Sequence, residues 1–284
     1  GKGCIFCGIG IQEALSRLGV GPDLIIPAIP QEILFTHRVG DGFEFYFLSN
    51  QSENAVSGTF GFDVADRQPE LWNAETGEIR DLPLFEQRAG RTYVPLEFGP
   101  ADSWFIVFRK RVVVSNSGSD TNFPAFRKLQ EINCNWNVTF HPVYDAAREM
   151  TFGELTDWTQ NDDPYIRHFS GTATYKTNFE YRAGTEKNVW LDLGTVHALA
   201  DVTLNGQPFR TLWRPPYRVN ISEVLKEGYN TIEVVVTNCW LNRLIGDLQF
   251  GARKYTWAPY VDWNAETPLL PSGLIGPVTL LTGE

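Results

Sequence analysis

Residues 170–247 decide the fold: SGTATYKTNFEY (170–181), NVWLDLGTVHALADVTLNGQPF (188–209), LWRPPYRVNISEVL (212–225) and NTIEVVVTNCWLNRLIGD (230–247). Apolar and polar side chains alternate along these runs, the period of a half-buried strand. Asn205-Gly206 is a tight hairpin turn. Between two of the strands lies the loop Trp213-Arg214-Pro215-Pro216-Tyr217. The pattern is that of a small β-sandwich holding an exposed aromatic and cationic loop, an architecture that commonly meets sugars.

The rest of that domain is placed around this stretch. CNWNVTF (134–140) reads as its first strand, ended by His141-Pro142. A long irregular region follows, with Trp158 and the acidic run Asn161-Asp162-Asp163. The last strand, GPVTLL (276–281), returns to pair with an earlier one, as a jelly roll requires. ISEVLKEG (221–228), closed by Gly228, is the one short helix expected. The second β domain thus runs over 127–284.

A first β-sandwich is expected over 31–113. ILFTHRV and FEFYFLSN flank the turn Gly40-Asp41-Gly42, a strong hairpin signal. AVSGTFGF, PELWN, an Ala-Glu-Thr-Gly turn, TYVPLEF and SWFIVFRK follow at the spacing of two packed antiparallel sheets. Phe43, Phe45 and Phe47 share one face, with Glu44 and Tyr46 on the other. Residues 114–126, containing SNSGSDTNFPAF, read as a polar linker. Residues 1–30 read as a βα remnant of an upstream barrel or α/β domain. CIFCG is its strand, and IQEALSRLGV its helix, with Ile11, Leu15 and Leu18 on one face. A start at Gly1 without Met suggests an excised piece.

At 284 residues the chain has room for two domains of ~100–150 residues each. A formal net charge of −10 argues against nucleic acid, whose binding needs clustered Lys and Arg, and against an anionic membrane surface. No run of ~18 apolar residues marks a membrane span. Cys4 and Cys7 have the CxxC spacing of zinc and redox sites, but no second pair accompanies them, and the expectation is buried reduced thiols. A Cys134–Cys239 disulfide is left open.

The second domain resembles the galactose-binding-like, sugar-binding domain of family 2 glycoside hydrolases. VTLNGQPF, the Trp213–Tyr217 loop and ISEVLKEGYNTIEVVVTN carry the likeness. NCWLNRLIGD and PSGLIGPV resemble the C-terminal end of family 106, the α-L-rhamnosidases. FYFLSNQSENAVSGTFGF with PELWNAETGEIRDLP, and GKGCIFCGIGIQEALSRLGVGPDL, are similar to segments that follow the catalytic barrel in that family. The resemblance implies the C-terminal part of a glycoside hydrolase whose catalytic carboxylates lie in a (β/α) barrel upstream. It implies an inverting parent that uses calcium, set in the bacterial periplasm or secreted, and acting on a rhamnoside or plant polysaccharide. No residue of this chain takes over those roles.

Candidate residues follow from chemistry. Aromatic faces stack on the C–H face of a pyranose, and Arg donates to its hydroxyls, so Trp213, Arg214 and Tyr217 are candidates for carbohydrate. The alternative is that Trp213 and Tyr217 plug the core or dock on a barrel. Trp240, Asn242, Arg243 and Asp247 form a second set, with a structural Arg243–Asp247 pair as the alternative. Trp257, Tyr260, Asp262 and Trp263 form a third, weighed against interdomain packing. Asp157, Asp162 and Asp163 offer oxygen to calcium but lack EF-hand spacing, and a solvated acidic loop is expected. His37, His141, His168 and His197 stand apart, with no HxH or HExxH. Acids such as Glu44, Glu53 and Asp63 form no catalytic dyad, so no catalytic residue and no metal ligand is assigned. Three functions compete: a non-catalytic portion of a glycoside hydrolase, an autonomous carbohydrate-binding module, and a protein-interaction β-sandwich. The first is favoured, because a self-contained module has no need of residues 1–30.

Overall fold

The computed structural model describes residues 3–27, 32–112, 121–143, 145–259 and 261–283. Most of the expected linker and Tyr260 lie outside them. The chain is mainly β and divides into two compact units, Gly1–Pro124 and Ala125–Glu284.

The first unit is a sandwich of two antiparallel sheets. One has the order Leu24–Ile25, Val56–Phe62, Arg91–Phe98, Glu86–Arg88. The other runs Ile33–Val39, Glu44–Asn50, Ser103–Arg111, Arg67–Trp72, Ile79–Asp81. The expected alternation along 43–50 holds, and Tyr46, Leu48 and Asn50 take the buried side. Tyr46 crosses the gap to meet the Phe62 ring edge-on at 4.9 Å.

Register puts Phe45, Val107 and Glu70 in one row on the outer face of that sheet, and Phe47, Phe105 and Trp72 in the next. Glu70 is nonetheless fully covered. Arg109 Nε donates to it at 2.6 Å, and Lys110 lies 2.6 Å from its other oxygen. Burial alone pushes its carboxyl up, but the hydrogen bonds and charges of Arg109 and Lys110 outweigh burial and hold it below the usual range. A depressed folded pKa stabilises above the unfolded value of about 4.3 and is lost as pH falls through the folded one. Glu70→Gln is therefore expected to flatten the acid limb of the first unit's stability below about pH 4, read by urea unfolding at stepped pH.

Residues 4–8 form no strand. With glycines on both sides and no partner to hydrogen-bond, the segment stays irregular, and Cys4 and Cys7 are exposed rather than buried. The helix α1 (Ile11–Arg17) forms as expected but buries no residue. Thr121–Pro124 pack with the first unit. Asn122 accepts from Leu84 N and donates to the carbonyls of Leu84 and Pro95 at 2.7–3.0 Å.

The second unit is a jelly-roll sandwich. Its six-stranded sheet has the order Arg148–Phe152, Trp136–His141, Thr172–Tyr181, Gly228–Thr237, Leu199–Leu204, Gln207–Pro208. The opposing sheet runs Phe126–Glu131, Thr279–Gly283, Val189–Asp192, Arg218–Asn220, so the last strand returns between earlier ones. Asn205 and Gly206 both take positive φ (52° and 83°), the geometry a two-residue hairpin needs.

The expected helix over 221–228 is a turn. Asn230 Oδ1 accepts from Lys226 N, its Nδ2 donates to Lys226 O and Gly228 O, and Asn205 Nδ2 takes Val224 O. These side-chain bonds capture the backbone groups that a helix would pair. Short helices arise elsewhere: a 3₁₀ turn at Trp158–Gln160, α2 (Pro164–Arg167) and α3 (Leu241–Gly246). The stretch read as irregular also contains the Arg148–Phe152 edge strand.

Candidate functional site

One end of the six-stranded sheet gathers the candidate chemistry. Register aligns His141, Thr172, Thr237 and Leu199 in a row across four strands. Three segments join this row: the one that follows His141, the one that ends at Ser170-Gly171 and the one that follows Thr237. Asn238 ties the last two together. Its Nδ2 donates to Phe169 O at 2.9 Å and Ser272 Oγ at 3.0 Å, and its Oδ1 accepts from Gly171 N at 2.9 Å.

Two of the expected site residues turn out to build these loops. Asn242 is buried; it holds both backbone groups of Leu270 and donates to Ser272 Oγ. Asp247, also buried, accepts from Arg243 Nε at 2.8 Å, Tyr255 N at 2.8 Å, Thr256 N at 2.7 Å and Thr256 Oγ1 at 2.6 Å. The Arg243–Asp247 pair is therefore real, and it closes the loop that brings Tyr255 back toward Trp240. Both side chains are committed to holding these loops.

What they position is a cleft walled by Trp240, Arg243, Tyr255, Tyr165, Phe169 and Asp145, with about 380 Å³ of empty space, its open mouth included. Its interior is narrow. Trp240 is half exposed. Tyr255 donates its hydroxyl to Asp145 Oδ2 at 3.0 Å. The Tyr165 hydroxyl oxygen is buried without a hydrogen-bond partner. Burial raises its pKa, so it remains a neutral donor. Arg148 lies 3.6 Å above the Tyr165 ring, and Arg243 and Arg253 lie 5.4 and 4.8 Å from the Tyr255 ring. Aromatic faces, cationic donors, one carboxylate and an unpaired hydroxyl suit a polyhydroxylated ligand.

The Trp213–Tyr217 loop hangs at the same end, outside the cleft. Leu212 exchanges backbone bonds with Ala200, and Tyr217 donates its hydroxyl to Ala198 O at 2.9 Å. Tyr217 belongs to the core, its pKa raised by burial, so the plug reading describes it and a direct sugar contact does not. Trp213 is exposed, with the Arg214 guanidinium 5.7 Å from its ring. Trp257 and Asp262 are exposed and Trp263 is half-buried; none of the three lines the cleft.

The acidic loop does not fit calcium. Asp157 Oδ1 caps the 3₁₀ turn through Thr159 N and accepts from Ser272 N, and Asp163 caps α2 through Tyr165 N. Among the described residues no group of three His, Cys, Asp or Glu side chains is placed to hold a metal. His37 is stacked on Tyr46 at 4.0 Å, between Asp23 and Glu44. His141 and His168 bond locally, to Thr174 Oγ1 and Pro164 O. All four cysteines are free.

Sequence reading missed Asp145, Tyr165, Phe169 and Tyr255. Asp145, Phe169 and Tyr255 sit in loops and Tyr165 in the one-turn helix α2, none with a periodic pattern, and only the aromatic density of 240–263 pointed toward them.

Residues 1–87 match the α-L-rhamnosidase family, and residues 150–258 match the glycosyl hydrolase 2 galactose-binding domain-like family. A rhamnosidase from Novosphingobium sp. PP1Y superimposes with a TM-score of 0.84 at 38% identity, over 95% of this chain and 26% of that one. The chain is related to glycoside hydrolases. A putative β-glucuronidase of Formosa agariphila is 35% identical over 172 residues, 51% of this chain and 15% of its own length. The chain therefore spans a minor share of either relative. The two sandwiches and the galactose-binding-like second unit are the fold that the sequence resemblance implied.

Proposed function

We propose that this chain is the non-catalytic portion of a carbohydrate-degrading glycoside hydrolase, an α-L-rhamnosidase, in which it supports the catalytic barrel and forms one wall of the sugar site. The observation that carries the reading is the likeness to the Novosphingobium rhamnosidase, which extends over 95% of this chain yet covers 26% of the enzyme. The cleft's chemistry agrees. Hydrolysis by the usual route needs two facing carboxyl groups, and among the described residues Asp145 is the carboxylate that lines the cleft. A secreted or periplasmic bacterial setting belongs to the same proposal.

Assay of the chain with an aryl α-L-rhamnoside is expected to show no release of the phenol above the uncatalysed rate. Turnover at about 1 s⁻¹ or faster, within the ordinary enzyme range, would overturn the non-catalytic reading. Binding is a separate matter. Trp240→Ala is expected to weaken rhamno-oligosaccharide binding about tenfold or more, close to 1.4 kcal/mol, by removing the stacking face. Trp213→Ala is expected to leave that affinity within about twofold. Calorimetric titration of both variants checks the pair.

A further inference from the structure

The two tyrosines that line the cleft carry more arginine than a neutral sugar requires. Arg148, Arg243 and Arg253 stand over the two tyrosine rings, and Lys254 adjoins Arg253 in sequence. This grouping occurs in a chain whose net charge is −10. The facing carboxylates are largely committed. Asp247 neutralises Arg243, Asp163 caps α2 and lies 3.5 Å from Arg148, and Asp145 takes the Tyr255 hydroxyl. Among the described residues Arg253 pairs with no carboxylate. It is exposed, and it lies over the Tyr255 ring, whereas Asp145 meets that side chain at its hydroxyl. An exposed, unpaired guanidinium beside a stacking surface is a forked donor set for an oxyanion.

We propose that this cleft takes an acidic sugar unit: its ring lies across Trp240, one substituent reaches the unpaired Tyr165 hydroxyl, and its anionic group pairs with Arg253. This rests on the cleft being the chain's sugar site and adds the ligand's charge. A carboxylate and a sulfate ester share the chemistry that Arg253 reads. Because Arg253 is exposed, the pairing weakens with added salt.

The test is calorimetric titration with a panel of galacturonate and glucuronate oligosaccharides, the same compounds with their carboxylates reduced to alcohols, and sulfated forms of the reduced compounds. At least one uronate or sulfated compound is expected to bind about tenfold or more tighter than its reduced counterpart. Arg253→Gln is expected to bring the acidic compound down to the affinity of its reduced counterpart. Retention of the preference by the sulfated forms alone, or by the uronates alone, assigns the anion. Equal affinity for acidic and reduced compounds, both weakened by Trp240→Ala, overturns the charge assignment while the cleft stands. Binding that Trp240→Ala does not alter, or no binding across the panel, overturns the cleft and the assignment together.

Discussion

Trp158→Ala is expected to destabilise the second unit by about 3–5 kcal/mol, the cost of emptying a large aromatic site in a packed core. Trp158 is fully buried, and its ring meets Phe140 at 5.3 Å and Phe169 at 5.5 Å. Its Nε1 donates to the Tyr175 hydroxyl at 2.5 Å, which also accepts from Leu274 N at 3.2 Å. Its backbone N–H reaches Ser272 O. One side chain thus joins the 3₁₀ turn, the central Thr172–Tyr181 strand and the Ser272–Leu274 return. The fit is close on the far side as well: a Cβ at Gly273 would lie 2.4 Å from Trp158 Nε1, and Gly273 has φ of +99°. Trp158→Phe keeps most of the ring volume and loses the N–H, so about 1–2 kcal/mol is expected. Thermal unfolding followed by near-ultraviolet circular dichroism separates the two variants. A midpoint for the alanine variant within about 2 °C of the parent would contradict the role given to this residue.

The second large effect is expected at Asp247. Its carboxylate is buried and holds four donors from Arg243, Tyr255 and Thr256. Asp247→Ala leaves two backbone N–H groups and a mostly buried guanidinium without their acceptor. Breaking a buried pair from one side costs about 3–5 kcal/mol where the remaining charge stays covered. Here the loop can open to water, so about 2–3 kcal/mol of stability is expected. The greater loss falls on ligand binding, because Tyr255 and Arg243 are both placed by this carboxylate. Sugar affinity is expected to fall by about a hundredfold, more than for Trp240→Ala alone. Asp247→Asn keeps one acceptor oxygen and the side-chain volume, and an intermediate loss is expected. Equal affinities for the parent and the alanine variant would show that the loop's closure is immaterial to the cleft.

The strands were legible where one face is buried and the other wet. Period-two alternation at 43–50, 172–181 and 230–237 located them, and Asn205-Gly206 and Gly40-Asp41-Gly42 located the hairpins. The helix expected at 221–228 failed because Asn205 and Asn230 bind its backbone from outside the segment, a contact that needs the fold to exist first. The strand expected at 4–8 failed for want of a partner, which an apolar tetrapeptide cannot signal. The site was legible in part. Trp240 and Arg243, singled out because they follow a strand end, line the cleft, whereas Asn242 and Asp247 hold its loops. Asp145, Tyr165 and Tyr255 reach the same cleft from two loops and the short helix α2, separated in sequence, and no spacing rule connects them. Tyr217 shows the opposite error: its place in an aromatic loop suggested a ligand contact, while its side chain turns inward to Ala198.

The measurement that bears most directly on a sugar-facing role is an amide chemical-shift titration of the isotope-labelled chain with rhamnose-containing oligosaccharides. The account predicts shifts concentrated at Tyr165, Ser170, Trp240, Arg243 and Tyr255, with the first unit and the Trp213–Tyr217 loop unmoved. Shifts gathered elsewhere, or none at millimolar saccharide, would contradict it.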